Sequence, residues 1–245
     1  VDSALVYRDM NIGTAKPDAA TLNRAPHHLI DIIDPTLAYS AAQFRSDARR
    51  LMAEITARGK IPLLVGGTML YFRALWRGLT DLPSADPIVR ARLAQEGATQ
   101  GWAALHHRLS KVDALSAARI KPTDPQRIQR ALEVYELTGR PLSLHWQQGR
   151  STPPPWPVLA YKLIPPDRDA LRTYLTQRFD TMLEQGFIEE VRQLYQRGDL
   201  HPQLPALRCV GYRQIWRYLA GEISSTEMRL SALHATYQYA KRQLT

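Results

Sequence analysis

The sequence predicts an α/β fold, on three observations. Residues 39–59 have the pattern of an amphipathic helix, with Ser40 as the N-cap and Gly59 after the last turn. The short apolar run 61–65 follows and ends in a glycine pair, which is typical of a buried strand. A second helical pattern begins at Met69. Helix, strand, glycine turn and helix in this order favour a parallel sheet covered by helices.

The rest of the chain predicts a helical insertion within this sheet domain. Residues 82–150 contain helical patterns separated by Gly and Pro and no strand pattern, whereas residues 158–164, after a proline-rich connector, again have the pattern of a strand. We therefore predict a core formed by 1–81 and 151–245 and an insertion formed by 82–150. The predicted helices after Met69 cover 69–76, 88–95, 102–109, 125–138, 142–148, 167–185, 187–197, 212–220 and 224–244.

Composition narrows the class of protein. The 245 residues are 44% apolar and carry a net charge of +9, from 32 Lys and Arg against 23 Asp and Glu. This excess of positive charge favours a polyanionic partner, above all nucleic acid, although a basic surface that only aids solubility explains it as well. The single cysteine, Cys209, excludes an internal disulfide and a cysteine-based zinc site, so we expect a cytoplasmic protein. No apolar run is long enough to span a membrane and the first residues show no basic-then-apolar pattern, so we expect neither a membrane span nor a secretion signal.

Two segments of the predicted sheet are candidates for chemistry. Asp2 follows an apolar residue, at the position expected for the carboxyl end of a strand, where a carboxylate can accept a proton. It equally fits an N-cap for the residues that follow. The run Gly66-Gly67-Thr68 presents backbone N–H groups and a hydroxyl at a helix start, which suits phosphate, or it is only a turn. The phosphate-binding pattern G-x-x-x-x-G-K-[ST] is absent, and the histidines lack metal-ligand spacing.

Basic clusters in the helical regions favour an anionic ligand. Gln126, Arg127 and Arg130 lie within about one turn of a predicted helix, and 208–213 places two arginines beside a glycine and a tyrosine. Arg178 has the reach to bind a diphosphate with two hydrogen bonds. A solvated helix face is the alternative for each cluster taken alone.

Six segments together carry a resemblance to a known family. They are 2–7, 12–17, 66–71, 124–127, 208–213 and 241–243. In this order, over the whole chain, they are similar to the bacterial tRNA dimethylallyltransferases, also called tRNA isopentenylpyrophosphate transferases.

The resemblance implies a P-loop kinase-like parallel sheet core with an all-helical insertion. It also implies transfer of a dimethylallyl group from dimethylallyl diphosphate to N6 of adenosine 37, beside the tRNA anticodon, with release of diphosphate. Asp2 would be the general base, Ser3, Ala4 and Leu5 would line the extruded base, and Arg178 would bind the diphosphate. Thr68 would act at the catalytic site and contact tRNA. The further tRNA contacts implied are Arg90, Gln126, Arg127, Ile128, Gln129, Arg130, Arg208, Cys209, Val210, Gly211, Tyr212, Arg213, Lys241, Arg242 and Gln243.

The implied cofactor is Mg²⁺, held by the family's nucleotide-binding loop rather than by residues of this chain. The implied partners are tRNA and dimethylallyl diphosphate, bound by a monomer. Two alternatives stay open. One is an isopentenyltransferase acting on free adenine nucleotides, which the long insertion and the basic clusters disfavour. The other is an RNA-binding module without catalysis.

The family's phosphate-binding loop and first strand precede the Asp-Ser motif and are missing here, as is the continuation beyond 241–243. We therefore expect this polypeptide by itself to be inactive or nearly so. An isopentenylation assay on tRNA with the polypeptide checks this prediction, and turnover at the rate of an intact relative would contradict it.

Overall fold

The computed structural model describes residues 1–80, 82–148 and 156–244. The chain forms two compact units, one of Val1–Leu75 with Pro155–Thr245 and the other of Trp76–Pro154. The boundaries that the sequence predicts, after residues 81 and 150, fall on residues outside the described ranges. Each unit has an apolar core of its own.

The described residues form α-helices separated by loops. In chain order these are α1 (Ala19–Arg24), α2 (Ala41–Ala57), α3 (Met69–Arg77), α4 (Pro87–Gln100), α5 (Trp102–Val112), α6 (Ala114–Arg119), α7 (Pro125–Thr138), α8 (Leu142–Gln148), α9 (Arg168–Glu184), α10 (Phe187–Gln196), α11 (Tyr212–Leu219) and α12 (Ser225–Leu244). A short 3-10 helix, Ala206–Arg208, precedes α11.

The helices whose capping residues can be recognised in the sequence, α2 and α9, form as predicted. Before α2, the Ser40 hydroxyl accepts a hydrogen bond from Gln43 N (3.2 Å), and Gln43 Oε1 accepts one from Ser40 N (2.8 Å). This reciprocal pair satisfies two N–H groups that the first helical turn leaves free. After α2, Gly59 adopts a left-handed conformation with φ of 69°. Asp167 caps α9 by accepting from Ala170 N (2.7 Å).

Two short helices are not among those predicted, and α4 and α5 both end later in the sequence than the prediction. Helices α1 and α6 have six residues each, too few to show an apolar period, although Asp18 and Asp113 cap them. Helix α4 continues beyond the predicted end near residue 95. Gly97 lies buried within this extension and packs against Trp102, where a Cβ would lie 2.6 Å from the indole ring.

The predicted strands at 61–65 and 158–164 are wrong for the described residues, which contain no strand and only one isolated parallel bridge, between Tyr7 and Ile33. The side chains of Ile61 and Leu163 are 91% and 95% exposed. A strand is stable only when neighbouring strands complete its hydrogen bonds and cover its faces. Neither segment has such a neighbour in the described residues, so the parallel sheet is not confirmed.

The main core of the first unit lies where α9, α10, α11 and α12 meet. Phe187, Val191, Tyr212 and Ile215 are almost completely buried there. Val6, Tyr7 and Met10 pack into the same core. The burial of these three side chains fixes the N-terminal segment, which carries Asp2, against the helices.

The second unit contains a buried carboxylate. Glu133, on α7, is fully buried and accepts hydrogen bonds from Arg90 Nε (2.8 Å) and Nη2 (3.0 Å) on α4. It also accepts from Arg130 Nη1 (2.6 Å) and Asp86 N (2.8 Å). Burial by itself raises the pKa of Glu133, but these hydrogen bonds outweigh it and hold the pKa below its usual value. The ionised group therefore ties α4 to α7.

Replacing Glu133 by Gln is expected to destabilise the second unit by about 3 kcal/mol, because two arginines then lose a buried counter-charge. Since the pKa of Glu133 is depressed, this difference is fully present above the ordinary glutamate value of about 4.3 and is lost as the pH falls through the folded-state pKa. Urea unfolding of both proteins at pH 7 and pH 3 measures the effect. As a control, Arg127→Gln removes an exposed ion pair to Asp124 and should change stability by less than about 0.5 kcal/mol.

Candidate functional site

The carboxylate of Asp2 caps the turn that follows it. Its Oδ1 accepts hydrogen bonds from Ala4 N (2.6 Å) and Leu5 N (3.2 Å). Among the described residues, both hydrogen bonds to this carboxylate go to Oδ1. The capping interpretation of Asp2 and the base interpretation are therefore compatible, because one oxygen orients the group and Oδ2 remains for a ligand.

Three groups lie within electrostatic reach of Asp2, and of these Tyr71 is buried, Cys209 is half-buried and Tyr239 is 40% exposed. Burial raises the pKa values of Cys209, Tyr71 and Tyr239, and the Asp2 carboxylate contributes to each increase. Tyr71 belongs to α3 and Tyr239 to α12, while Cys209 belongs to the predicted RNA-binding segment 208–213. Tertiary folding thus brings Asp2 close to a motif more than 200 residues away in the sequence.

The turn 66–68 packs directly on the Asp2 segment. A Cβ on Gly66 would lie 2.0 Å from Val1 O, so the backbones approach as closely as glycine allows. The Thr68 hydroxyl accepts a hydrogen bond from Ser3 N (3.2 Å), and Thr68 N donates to Val1 O (3.4 Å). The predicted phosphate-type turn therefore holds the Asp2 segment in place.

The predicted C-terminal tRNA contacts lie at the same place. Gln243 Nε2 donates to Gly67 O (3.4 Å), which brings the last turn of α12 to the glycine turn. Lys241 and Arg242 are exposed, and the Arg242 guanidinium lies 5.7 Å from the centre of the Tyr239 ring. One residue of the motif anchors the helix end while two cations face solvent.

The segment 208–213 likewise contains both exposed and buried residues. Arg208 and Arg213 are exposed, Cys209 and Val210 are half-buried, and Gly211 and Tyr212 are buried. Gly211 has φ of 90°, and a Cβ there would lie 2.6 Å from the Phe187 ring. The buried residues fix the backbone, and the two guanidinium groups remain available for an anion.

A cavity of about 730 Å³ separates the loop around residues 11–18 from α9. Arg178 and Tyr174 line it from α9. Lys16 lines it from the loop, where its Nζ donates to Tyr7 O and Asn11 Oδ1 (2.8 Å each) and pairs with Asp31. Arg178 has no ion-pair partner among the described residues, so its guanidinium is available to an anionic ligand in the cavity.

In the second unit, the predicted contacts at 126–130 separate into exposed and internal residues. Gln126 and Arg127 are exposed, whereas Ile128 is completely buried. Gln129 Nε2 donates to Arg90 O (2.8 Å), and Arg130 bonds Glu133 and the Pro83 carbonyl. A ligand therefore meets the side chains of Gln126 and Arg127 first. Arg90 is bound to Glu133 but remains 43% exposed.

Sequence reasoning missed Glu190, which connects two of the motifs. Its carboxylate accepts hydrogen bonds from the backbone N–H groups of Asn11 (2.8 Å), Ile12 (2.7 Å) and Gly13 (3.3 Å) and from the Tyr212 hydroxyl. The only sign of it in the sequence is an acidic residue in the first turn of a helix, which usually stabilises the helix dipole.

In the described ranges, no three His, Cys, Asp or Glu side chains lie together as a metal site would require. No helix of these ranges is long and apolar enough to cross a membrane.

Comparison with known proteins defines the class. Residues 5–245 match the family model for IPP transferase. The chain is 62% identical to the tRNA dimethylallyltransferase of Thioalkalivibrio sulfidiphilus and 59% identical to that of Paraburkholderia phymatum, over 100% of this chain and 77% and 78% of those relatives. The class is thus that of transferases that modify tRNA. The chain belongs to the IPP transferase family, which confirms the family predicted from the motifs.

Solved structures agree with this assignment. The full-length tRNA isopentenylpyrophosphate transferase of Bacillus halodurans matches with a TM-score of 0.67 and 38% identity, over 99% of this chain and 75% of that one. A eukaryotic dimethylallyltransferase acting on tRNA matches with a TM-score of 0.77 and 26% identity, over 99% of this chain and 61% of that one. The fold is therefore that of the tRNA isopentenyltransferases.

The Cys209 thiol provides a test of the site geometry. Burial, with a smaller contribution from Asp2, raises the pKa of this thiol to about 12. Because the thiolate is the reactive form, iodoacetamide at pH 8 should label the folded chain on the order of a thousandfold more slowly than the unfolded chain. Asp2→Asn should accelerate labelling of the folded chain, because it removes a negative charge that opposes the thiolate. Fast labelling of the folded wild type would contradict the described burial.

Proposed function

We propose that this chain is a tRNA dimethylallyltransferase that transfers the dimethylallyl group from dimethylallyl diphosphate to N6 of adenosine 37. The observation that carries the proposal is the convergence of four motifs in one unit. The Asp2 segment, the turn 66–68, the segment 208–213 and the end of α12 contact one another or interact electrostatically. The identity to named relatives over the whole chain supports the same activity.

Asp2 is proposed as the general base. The exocyclic N6 of adenine is a weak nucleophile because its lone pair is delocalised into the ring. As N6 forms a bond to the allylic carbon, the bond from that carbon to the diphosphate oxygen breaks, and the diphosphate leaves with the electron pair. An N6 proton then passes to Asp2 Oδ2, while the N–H groups of Ala4 and Leu5 hold Oδ1.

Arg178 is proposed to stabilise the leaving diphosphate. Its planar guanidinium can donate two parallel hydrogen bonds to phosphate oxygens where negative charge accumulates. Lys16 adds positive charge to the opposite wall of the cavity, although its Nζ is engaged with Tyr7, Asn11 and Asp31. The cavity of about 730 Å³ is large enough for a small prenyl diphosphate.

Magnesium forms part of the same proposal. No three acidic, cysteine or histidine side chains lie together in the described residues, which fits an ion held mainly by phosphate oxygens and by the nucleotide-binding loop that the family resemblance implies. Mg²⁺ is usually bound by substrate phosphates with one or two carboxylates, and we propose that it enters with the diphosphate. We likewise propose a P-loop kinase-like core and a monomer that acts on tRNA in the cytoplasm.

The exposed cations are proposed to bind the tRNA backbone. Arg208, Arg213 and Arg242 lie in the unit that contains Asp2, and Arg127 lies in the second unit with Gln126 beside it. The adenine base must leave its stack to reach the Asp2 carboxylate. The enzyme therefore has to bind the flanking nucleotides while the base is unstacked. Arg90 and Thr68 are proposed as further contacts, and Ile128, Gln129 and Arg130 as the support behind Gln126 and Arg127.

Two alternatives are distinguished by the acceptor. An enzyme for free nucleotides would prenylate AMP as well as tRNA, and it would gain nothing from exposed arginines in a separate helical unit. A binding module without catalysis would bind tRNA and transfer nothing. The relatives named as tRNA dimethylallyltransferases favour transfer to tRNA.

The decisive variant is Asp2→Asn in the full-length enzyme. The amide oxygen still accepts from the Ala4 and Leu5 N–H groups, so the cap survives while the base is lost. We expect kcat for transfer of a radiolabelled dimethylallyl group to tRNA to fall about a thousandfold. The Kd for tRNA should change by less than about threefold, since only one group at the site is altered.

The matched control is Asp9→Asn, an exposed aspartate seven residues further along with φ of 62°, a conformation that Asn tolerates. It should leave kcat and the Kd for tRNA unchanged. Equal activity of Asp2→Asn and the wild type would reject the base assignment. Equal transfer to AMP and tRNA would reject the tRNA specificity.

A further inference from the structure

One carboxylate holds the loop that forms a wall of the cavity. Glu190 Oε2 accepts hydrogen bonds from Asn11 N (2.8 Å) and Ile12 N (2.7 Å), and Oε1 accepts from Gly13 N (3.3 Å) and from the Tyr212 hydroxyl. Burial and the neighbouring Glu190 carboxylate raise the pKa of Tyr212 well above its usual value, so the phenol stays protonated and donates. Four donors from two motifs thus converge on one group of α10.

The loop backbone lies directly on α10. A Cβ on Gly13 would lie 2.1 Å from the Phe187 ring and 2.5 Å from the Tyr212 ring. Any side chain at position 13 would therefore push the loop away from the helix, and with it the three N–H groups. The close contact and the carboxylate act together to fix one position of residues 11–13.

The same loop determines the shape of the cavity. Asn11, Ile12 and Lys16 line one wall, and Arg178 and Tyr174 of α9 line the other. The position of residues 11–13 therefore sets the distance between the Arg178 guanidinium and the opposite wall. Glu190 itself is not among the residues that line the cavity.

We propose that Glu190 is a positioning residue for prenyl transfer. By holding residues 11–13 and Tyr212 together, it fixes the position of the cavity wall opposite Arg178. It also fixes that wall relative to the segment 208–213, to which Tyr212 belongs. This role rests on the proposed function, because it assigns the cavity to dimethylallyl diphosphate. Glu190 contacts no reacting atom and acts through the loop.

The test compares Glu190→Gln with Glu189→Gln in the full-length enzyme. Glutamine replaces one acceptor oxygen by a donor NH₂ group, so at least one of the four donors loses its partner. We expect the KM for dimethylallyl diphosphate to rise about tenfold, since a hydrogen bond to a charged group contributes that much. The kcat and the Kd for tRNA should stay within about twofold of the wild type. Glu189 belongs to the same turn but is exposed and pairs with Arg192, so its variant should behave as the wild type.

Hydrogen–deuterium exchange measured by mass spectrometry gives a readout that needs no activity. In Glu190→Gln, peptides covering residues 10–17 should exchange faster, while peptides from α2 and α7 should not. Tyr212→Phe keeps the ring packing and removes one donor, and we expect a smaller rise in KM with the same exchange pattern.

Different failures have different meanings. If the wild type is active and Glu190→Gln leaves KM unchanged, or lowers kcat with faster exchange throughout the chain, the positioning role is overturned and Glu190 only supports the fold. If the wild type transfers nothing to tRNA, the proposed function fails and the role falls with it. The exchange data then still report whether Glu190 holds residues 11–13.

Discussion

The convergence of three successive backbone N–H groups on the Glu190 carboxylate is the constraint that holds residues 11–13, and with them one wall of the cavity. Residues 11–13 are not helical, so no neighbouring carbonyl of a helix or sheet satisfies these donors. Asn11 is exposed and Ile12 and Gly13 are half-buried, and the charged acceptor gives their N–H groups stronger hydrogen bonds than a neutral acceptor would. With the carboxylate in place, the loop packs against the Phe187 and Tyr212 rings. The cavity wall formed by Asn11 and Ile12 lies at this contact, and the Tyr212 hydroxyl joins it to the segment 208–213.

In the second unit a carboxylate is again held by several hydrogen-bond donors, here mainly guanidinium groups. Glu133 is buried without loss of its charge because Arg90, Arg130 and the Asp86 N–H group surround it. This arrangement explains why a basic segment is only partly available to a ligand. Arg130 contributes to the fold, whereas Arg127, three residues earlier on the same helix, projects into solvent. Charge in the sequence therefore does not distinguish a binding arginine from one that neutralises a buried carboxylate.

Local rules were sufficient for the helices with caps and failed for the strands. The caps at Ser40 and Asp167 act within four residues, so they can be recognised without knowledge of the fold. The segments 61–65 and 158–164 have apolar sequences, but a strand forms only when another strand lies beside it. Among the described residues nothing pairs with either segment. For Asp2, local rules predicted either a cap or a base. Because both backbone hydrogen bonds go to Oδ1, the capping role leaves Oδ2 for the proposed role as a base.

The sequence by itself determined the family, most helix positions and the residue types at the site, because short motifs and caps depend on neighbours close in the chain. Only the tertiary structure revealed that Asp2 lies near Cys209 and Tyr239, that Gln243 reaches the turn 66–68, and that Glu190 holds residues 11–13. It also showed that Gln126 and Arg127 are exposed whereas Ile128 is buried, a difference that the sequence motif does not reveal. These distinctions depend on contacts between residues far apart in the chain and on burial, and neither property is encoded in local spacing.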